Sequence, residues 1–96
     1  MIQSFGDRAT EDLYHDRKTA RVRGLPADVA KRAVRKLDMI RAAAELEDLR
    51  VLPGNRLEAL RGDREGYHSI RVNEQWRIVF GWRDGHAWDV ELTDYH

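Results

Sequence analysis

The sequence predicts an α+β domain in which helices come first and an antiparallel sheet follows. Helical patterns of apolar residues are confined to the first half of the chain. Four strand-like runs follow the turn signal Pro53-Gly54-Asn55, and short connections make consecutive strands antiparallel neighbours. The chain has 96 residues, and an apolar fraction of 42% is enough for one hydrophobic core. We therefore expect residues 1–96 to form a single domain with helices layered on one face of the sheet.

The first half of the chain is predicted to contain a short strand, a short helix, a loop and one long helix. Met1–Phe5 alternates apolar and polar residues as a strand does, and Asp7–Tyr14 suits a short helix. Asp16–Gly24 is basic and polar and is expected to be a loop. The main helix is predicted to begin at Leu25-Pro26 and to end near Leu49, because proline is favoured at the first helical position. Its apolar residues recur at helical spacing on one stripe, which comprises Val29, Ala33, Leu37, Ile40 and Ala44.

The second half is predicted to form four strands, Arg56–Leu60, Tyr67–Val72, Trp76–Trp82 and Ala87–Thr93. The middle two make a hairpin whose register can be predicted. A three-residue loop pairs Arg71 with Arg77 and gathers the large apolar side chains on the helix-covered face. A two-residue loop would instead place Ile70 opposite Arg77. We therefore expect the first register, with both arginines on the open face and with the tryptophans, including Trp88, on the apolar phase.

An arginine opposite an arginine repels it, so the predicted pair calls for nearby negative charge. Phosphate suits the pair, because a guanidinium group binds phosphate through two parallel hydrogen bonds. Pairing with a carboxylate is the alternative, and the candidates are Asp94, Glu91 and Glu58. The pair thus predicts either an anion-binding site or a local ion-pair network.

The formal net charge of zero conceals a segregation of charge along the chain. Residues 17–36 carry a net charge of +7, residues 37–49 carry −3 and residues 84–96 carry −4. Such a field can steer a polyanion to one face, and the alternative is a pair of solvated helix faces. The absence of cysteine excludes disulfides and a cysteine-ligated zinc site. A cytoplasmic location is expected, because no apolar run reaches about 20 residues and no secretory pattern begins the chain.

The residues suited to chemistry form a metal-free set of cations and proton-transfer groups. His96 follows directly on the last strand, and imidazole is the side chain best suited to proton transfer near neutral pH. The sequence shows no metal-ligand spacing, no nucleophile pattern and no glycine-rich nucleotide loop. The set suits RNA cleavage, in which a base takes the 2′-OH proton, the 2′-oxygen attacks phosphorus and an acid protonates the leaving 5′-oxygen. Its members are Glu58, Arg61, Arg64, Arg71, Arg77, Asp94, Tyr95 and His96.

Four ordered motifs span nearly the whole chain. The first is Met1-Ile2-x-Ser4-Phe5 and the last is Asp94-Tyr95-His96. Between them lie Leu57-x-x-Leu60-x-Gly62-x-Arg64-x-Gly66-Tyr67 and Ser69-Ile70-x-Val72-Asn73-x-Gln75-Trp76-Arg77. As an ordered set they resemble the HigB-type toxins of the RelE/ParE superfamily, the toxin half of bacterial type II toxin–antitoxin pairs. The stretch from Pro53 to Leu60 is most similar to the GraT-like branch of that family.

The resemblance implies a microbial-RNase-like (RelE-like) fold, with two N-terminal helices packed on a curved antiparallel sheet. It also implies metal-independent, ribosome-dependent cleavage of mRNA with no cofactor. The implied partner is a HigA-type antitoxin with a helix-turn-helix domain. The toxin is expected to reach operator DNA only through this antitoxin. By matched position, Asp94, Tyr95 and His96 take the family's catalytic places, and Arg77 takes that of its phosphate-stabilising arginine. Arg61 stands where many members have lysine.

Glu58 departs from the family pattern, because better-studied members have a histidine there. A carboxylate can act as a general base, so Glu58 and His96 form a candidate base–acid pair, and weak cleavage is the alternative. RNA or phosphate contacts are expected from Arg61, Arg64, Tyr67 and Arg71. Docking to ribosomal RNA is expected from residues 17–36, which we call the basic segment. The contacts are expected from Arg21, Arg23, Lys31, Arg32 and Arg35. Two other functions remain open, a ribosome- or RNA-binding inhibitor with little nuclease activity and a co-repressor without toxicity.

Overall fold

The computed structural model describes residues 1–95, and within that range helices precede strands along the chain. The helices are α1 (Arg8–Tyr14), α2 (Ala20–Arg23), α3 (Ala27–Ala42) and α4 (Leu46–Arg50). The strands are β1 (Glu58–Ala59), β2 (Tyr67–Arg71), β3 (Trp76–Arg83) and β4 (His86–Asp94). Short 3₁₀ turns occupy Pro53–Asn55 and Gly62–Arg64. This order confirms the α+β class predicted from the sequence.

The first two helices begin at side-chain caps. Asp7 accepts a hydrogen bond of 2.9 Å from the Thr10 backbone N–H, and the predicted short helix α1 is confirmed. The prediction of a loop over Asp16–Gly24 is wrong in part, because α2 lies inside it. The Thr19 hydroxyl accepts a bond of 3.4 Å from the Val22 backbone N–H and caps this single turn. A helix of one turn is too short to show a periodic pattern of apolar residues, so the sequence did not reveal it.

The main helix ends earlier than predicted, and the rest of its predicted length forms the separate helix α4. Ala43 is extended, with ψ 130°, which ends α3. Asp48 Oδ2 then accepts from the backbone N–H groups of Ala44 at 2.9 Å and Glu45 at 3.0 Å, which starts a new helix with a capping box. The first four residues of the predicted stripe are buried, whereas Ala44 is exposed and Ala43 is buried instead. No helix within residues 1–95 is long and apolar enough to cross a bilayer.

The sheet is an antiparallel meander with the strand order β1-β2-β3-β4. Arg71 pairs with Arg77, and the Val72 backbone N–H donates to the Trp76 carbonyl oxygen at 2.9 Å. The predicted hairpin register is therefore confirmed. Side chains in phase with Ile70 and Ile78 face the helices, and those in phase with Arg71 and Arg77 lie on the opposite, open face.

The N-terminal segment lies beside β4 but is not the regular strand that was predicted. It makes two isolated parallel bridges, Ile2 with Ala87 and Phe5 with Val90. Further along β4, the Thr10 hydroxyl accepts a hydrogen bond of 2.9 Å from the backbone N–H of Leu92. Because β4 is the last strand of the sheet, these contacts satisfy backbone groups that an edge strand would otherwise expose.

A bulge in β4 changes the phase of its side chains. Val79 pairs with Glu91 whereas Gly81 pairs with Trp88, so the register shifts between them, and Asp89 has the left-handed φ of 52°. Trp88 therefore shares a face with Gly81, and its predicted place in the core is wrong. The core lies on the other face and is formed by buried residues of the helices and strands, including Leu37, Ile40, Ile70, Ile78, Phe80 and Val90.

Candidate active site

The two paired arginines line a depression on the open face of the sheet, at the turn between β2 and β3. This depression has a volume of about 360 Å³. Its lining residues are mostly charged and comprise Arg56, Glu58, Arg71, Asn73, Glu74 and Arg77. We call it the arginine depression. Within residues 1–95, neither Arg71 nor Arg77 forms an ion pair with a carboxylate, which favours the anion-binding interpretation over the local ion-pair network.

Neutral oxygen atoms hold the Arg77 guanidinium in place. Its Nε donates to the Ser69 hydroxyl at 2.8 Å, and its Nη2 donates to the carbonyl oxygens of Arg56 at 2.7 Å and Ser69 at 3.2 Å. Ser69 is fully buried beneath the guanidinium. Because none of these acceptors carries a charge, they fix the group without neutralising it. A fixed, uncompensated guanidinium is suited to binding a phosphate.

The carbonyl group of Arg56 is positioned by a buried asparagine in the preceding turn. Asn55 accepts a hydrogen bond of 2.5 Å from Lys36 Nζ and donates one of 3.1 Å to the Leu49 carbonyl oxygen. Burial, with the nearby charge of Arg32, lowers the pKa of Lys36 below its usual value. Arg56 itself adopts a left-handed φ of 44°. Sequence reasoning missed Asn55, Arg56 and Ser69, although Ser69 is in phase with Arg71 and was open to prediction.

The end of β4 is tied to the hairpin turn beside the arginine depression. The Tyr95 backbone N–H donates to the Gln75 carbonyl oxygen at 2.6 Å, and Gln75 Nε2 donates to Asp94 Oδ1 at 2.9 Å. Asp94 pairs with Trp76 and so shares its face, whereas Arg77 pairs with Thr93 on the other face. The structure thus does not bring Asp94 and Arg77 onto one face. Tyr95 is 41% exposed, and His96 lies outside the described residues.

Arg64 and Tyr67 lie in a second depression on the same face, apart from the paired arginines. Its volume is about 450 Å³, and we call it the tyrosine depression. Its other lining residues are Phe5, Gly6, Asp63, Asp89 and Glu91. Tyr67 and Arg71 are four residues apart on β2, which corresponds to about 13 Å. The predicted phosphate-binding residues therefore divide between two places, while Arg61 is exposed at the start of the turn before β2.

The side chains predicted to dock on ribosomal RNA all lie exposed on α2 and α3. Arg21 is engaged by Asp12 at 3.4 Å, and the Arg23 guanidinium donates to the Lys18 carbonyl oxygen. Lys31, Arg32 and Arg35 form no ion pair within residues 1–95. Arg32 also lines a depression of about 450 Å³ together with Arg71. This shared depression connects the basic face of α3 with the arginine depression.

Asp12 organises the base of the basic segment. Its side chain is 8% exposed and lies 3.2 Å from Arg17, and it accepts a hydrogen bond of 3.0 Å from the Thr19 hydroxyl. Burial raises the pKa of Asp12, but the hydrogen bonds from Thr19 and Arg17 and the charges of Arg21 and Arg17 together lower it below its usual value. No group of three or more side chains within residues 1–95 is arranged to hold a metal ion.

The sequence profile of a toxin family matches residues 3–96, and it describes a RelE-like toxin of type II toxin–antitoxin system HigB. The chain belongs to the HigB-like family of RelE-like toxins. The ordered motifs of the sequence had predicted this membership, and the profile match confirms it.

Two curated relatives of this HigB-like chain match it along almost its whole length. Toxin HigB-1 of Vibrio cholerae is 41% identical over 95 residues, which cover 99% of this chain and 98% of the relative. Endoribonuclease HigB of Proteus vulgaris is 37% identical over 100 aligned positions, which cover both chains fully.

Solved structures of RelE-like toxins share the fold of this HigB-like chain. The toxin in the YoeB–YefM complex from Staphylococcus aureus gives a TM-score of 0.60 at 19% identity, covering 100% of this chain and 98% of that one. A variant of YafQ from Escherichia coli gives a TM-score of 0.56 at 13% identity, covering 98% and 93% of the two chains. The predicted RelE-like arrangement of helices on an antiparallel sheet is confirmed.

Proposed function

We propose that this HigB-like toxin is a metal-independent endoribonuclease that cleaves mRNA on the ribosome and so inhibits translation. The observation that supports this most strongly is the pair Arg71 and Arg77, held together on an open sheet face with no carboxylate partner within residues 1–95. RNA supplies its own nucleophile in the 2′-hydroxyl group, so the protein needs to supply only proton transfer and stabilisation of charge at phosphorus.

Arg77 is the proposed phosphate-stabilising residue. As the 2′-oxygen attacks, phosphorus gains a bond and negative charge accumulates on its non-bridging oxygens. The Arg77 guanidinium, fixed by Ser69 and the Arg56 carbonyl, meets that charge without having to reorganise. Arg71, its cross-strand neighbour, holds the same phosphate or the next one along the strand. Arg61, exposed at the start of the turn before β2, adds positive charge for the RNA backbone.

Glu58 is the proposed general base. It pairs with Ser69 and is exposed at the margin of the arginine depression, beside the group that holds Arg77. Its carboxylate takes the proton of the 2′-hydroxyl, the new oxygen–phosphorus bond forms, and the bond from phosphorus to the 5′-oxygen breaks. His96 is the proposed acid that protonates this leaving oxygen. Asp94 and Tyr95 tie the end of the chain to the hairpin turn, and the exposed Tyr95 ring contacts RNA.

The exposed cations of the basic segment are the proposed contacts to ribosomal RNA. Such contacts are to phosphates, and they are therefore independent of sequence and weakened by salt. The residues are Arg21, Arg23, Lys31, Arg32 and Arg35. A ribosomal target places the toxin in the cytoplasm. As in other toxin–antitoxin pairs, an antitoxin neutralises it, and we propose a HigA-type protein with a helix-turn-helix domain as the partner that reaches operator DNA.

Mapping of mRNA 5′ ends after brief induction of the toxin tests this proposal. We expect new 5′ ends within translated reading frames for the natural chain. Arg77→Ala and a chain lacking His96 should both lose cleavage by about 100-fold or more while remaining folded. Glu47→Gln, a change on the exposed surface of α4, is the control and should cleave normally. Growth inhibition with an unchanged 5′-end profile would instead identify a ribosome- or RNA-binding inhibitor without nuclease activity.

A further inference from the structure

We propose that the tyrosine depression is a nucleobase site that selects guanine, with Tyr67 as the stacking surface and Glu91 as the acceptor. This proposal rests on the proposed cleavage of RNA and adds a base preference to it.

The Tyr67 ring packs beside the backbone of the neighbouring strand. Tyr67 pairs with Gly81, and a methyl group added at Gly81 would lie 3.5 Å from Tyr67 Cε2 and 3.6 Å from Cζ, which is ordinary van der Waals contact. The half-buried ring is therefore supported by β3 and remains partly open to solvent.

Arg64 lies over the ring at a distance that nearly admits a base. Its guanidinium carbon is 5.9 Å from the centre of the ring. A base stacked between the ring and the guanidinium needs a separation of two stacking intervals of about 3.4 Å, or about 7 Å. The exposed Arg64 side chain would have to move by about 1 Å to admit it. Stacking between an aromatic ring and an arginine is a common way to bind an unpaired RNA base.

A network that reaches back to the N-terminal segment fixes the ring. The Tyr67 hydroxyl donates to Asp89 Oδ2 at 2.6 Å. The Asp89 backbone N–H donates to the Ser4 hydroxyl at 2.9 Å, and that hydroxyl donates to Asp89 Oδ1 at 3.3 Å. The left-handed φ of Asp89 at the bulge turns its carboxylate toward Tyr67.

The charge of the depression disfavours a phosphate group inside it and favours hydrogen-bond donors. Its lining includes one guanidinium, that of Arg64, and three carboxylates, those of Asp63, Asp89 and Glu91. Asp89 is occupied by Tyr67 and Ser4, whereas the Glu91 carboxylate accepts, within residues 1–95, only from Thr93 at the long distance of 3.4 Å. The Glu91 carboxylate therefore keeps capacity to accept new hydrogen bonds, and we assign it as the acceptor.

Guanine is the base whose pairing edge fits a carboxylate. Its N1–H and N2 amino group are two adjacent donors, which match the two oxygens of one carboxylate. Adenine and cytosine place an acceptor nitrogen next to their amino group, and uracil has one donor between two acceptors. A bidentate pair of this quality typically discriminates between bases by tenfold or more. The site lies about 13 Å from Arg71, or about four stacked nucleotides, so the base it reads flanks the cut.

Titration of the purified full chain with mononucleotides, followed by amide resonances in ¹⁵N spectra, tests the site directly. We expect GMP to shift the signals of Tyr67, Asp89 and Glu91 and to bind at least tenfold more tightly than AMP. IMP, which lacks the 2-amino group, should fall between them. Inorganic phosphate should leave these signals in place. Equal binding of GMP and AMP, or shifts confined to Arg71 and Arg77, would overturn the proposal.

Two variants separate the proposed roles. Glu91→Gln should reduce the preference for GMP over AMP about tenfold, whereas Glu47→Gln, the matched control, should keep it. Tyr67→Leu should weaken all three nucleotides by a similar factor of about ten, because it removes stacking but not the acceptor. An unchanged preference in Glu91→Gln contradicts the base site. If the chain binds GMP in this way but does not cleave mRNA, the base site is supported and the proposed nuclease activity is refuted. If the chain cleaves mRNA but does not prefer GMP, only the nuclease activity is supported.

Discussion

The arginine depression and the tyrosine depression lie on one sheet face, yet they carry opposite charge. The first is lined by three arginines and two glutamates, and the second by one arginine and three carboxylates. Two residues of the same strand, Arg71 and Tyr67, supply their centres. An RNA strand presents a charged backbone and neutral bases with directed hydrogen bonds. A single face of the sheet can therefore hold the RNA backbone at one place and read a base at another.

The two depressions also differ in how their central side chains are held. Arg77 is fixed by uncharged oxygens, so its positive charge remains available. Tyr67 is fixed by a charged acceptor, Asp89, and this hydrogen bond, with burial and the Asp89 charge, raises the pKa of Tyr67 above its usual value. Tyr67 is thus held by a charged group while it presents an uncharged ring.

Replacing one arginine of each depression, Arg71 or Arg64, by alanine should separate the two roles most clearly. Arg71→Ala should lower cleavage about 100-fold at every sequence, because it removes charge stabilisation next to Arg77. Arg64→Ala should lower total cleavage only about twofold to fivefold and should flatten the base preference. Both effects can be read from one 5′-end map. If Arg64→Ala lowers cleavage as much as Arg71→Ala and leaves the base preference intact, the two depressions do not have separate roles.

Removing the buried asparagine tests what supports the arginine depression. Asn55→Ala leaves Lys36 Nζ and the Leu49 carbonyl oxygen without their partner. An unsatisfied buried polar group typically costs about 2 kcal/mol, which lowers the melting temperature of a domain of this size by about 10 °C. Thermal unfolding by circular dichroism measures this loss. A change of less than about 2 °C would show that Asn55 does not hold the turn.

Ser69 distinguishes positioning from direct contact. Ser69→Ala removes the acceptor for Arg77 Nε but leaves the two carbonyl acceptors, so cleavage should fall about tenfold. In a chain that already carries Arg77→Ala, the same change should have no further effect, because Ser69 acts through Arg77. Independent, multiplicative losses in the double variant would contradict that role.

Asp12 lies away from both depressions, and we expect its replacement to lower the stability of the fold. Its pKa is lowered in the folded chain, so the stability that it contributes is complete above about pH 5. That contribution is lost as the pH falls below the ordinary value of 3.8. The difference in melting temperature between the natural chain and Asp12→Asn should therefore be largest near neutral pH and shrink below pH 3.8. A constant difference between pH 3 and pH 7 would refute this role, and base preference should not change at any pH.

Local patterns predicted the fold more completely than the site. Alternation along the β2–β3 hairpin was sufficient to pair Arg71 with Arg77, because a slip by one residue would bury charge. The break after Ala42 was not predicted. Asp48 can accept from the backbone N–H groups of Ala44 and Glu45 only because the helix has already ended before them, and the sequence does not show that end. Trp88 was misplaced for a similar reason, since the bulge at Asp89 reverses the phase of β4 and the flanking residues carry no glycine signal.

The candidate site was predicted as one cluster, but residues 1–95 form two. Composition and motifs identified Arg64, Tyr67 and Arg71 as candidate RNA or phosphate contacts without showing that Arg71 lies apart from the other two. They did not show that Asp89 and Glu91 surround Tyr67, because those contacts join segments more than 20 residues apart. Neither could they show that the Arg56 backbone carbonyl holds Arg77, since a carbonyl group leaves no mark on the sequence.

The central claim is that Arg71 and Arg77 bind the RNA backbone on the open face. The most direct measurement follows the arginine Nε–Hε resonances of the full chain as a single-stranded RNA with 2′-O-methyl groups, which cannot cut itself, is added. We expect the signals of Arg71 and Arg77 to shift and saturate together, and added salt to reverse the shift. Saturating RNA that moves only the signals of Arg21, Arg32 and Arg35 would contradict the claim.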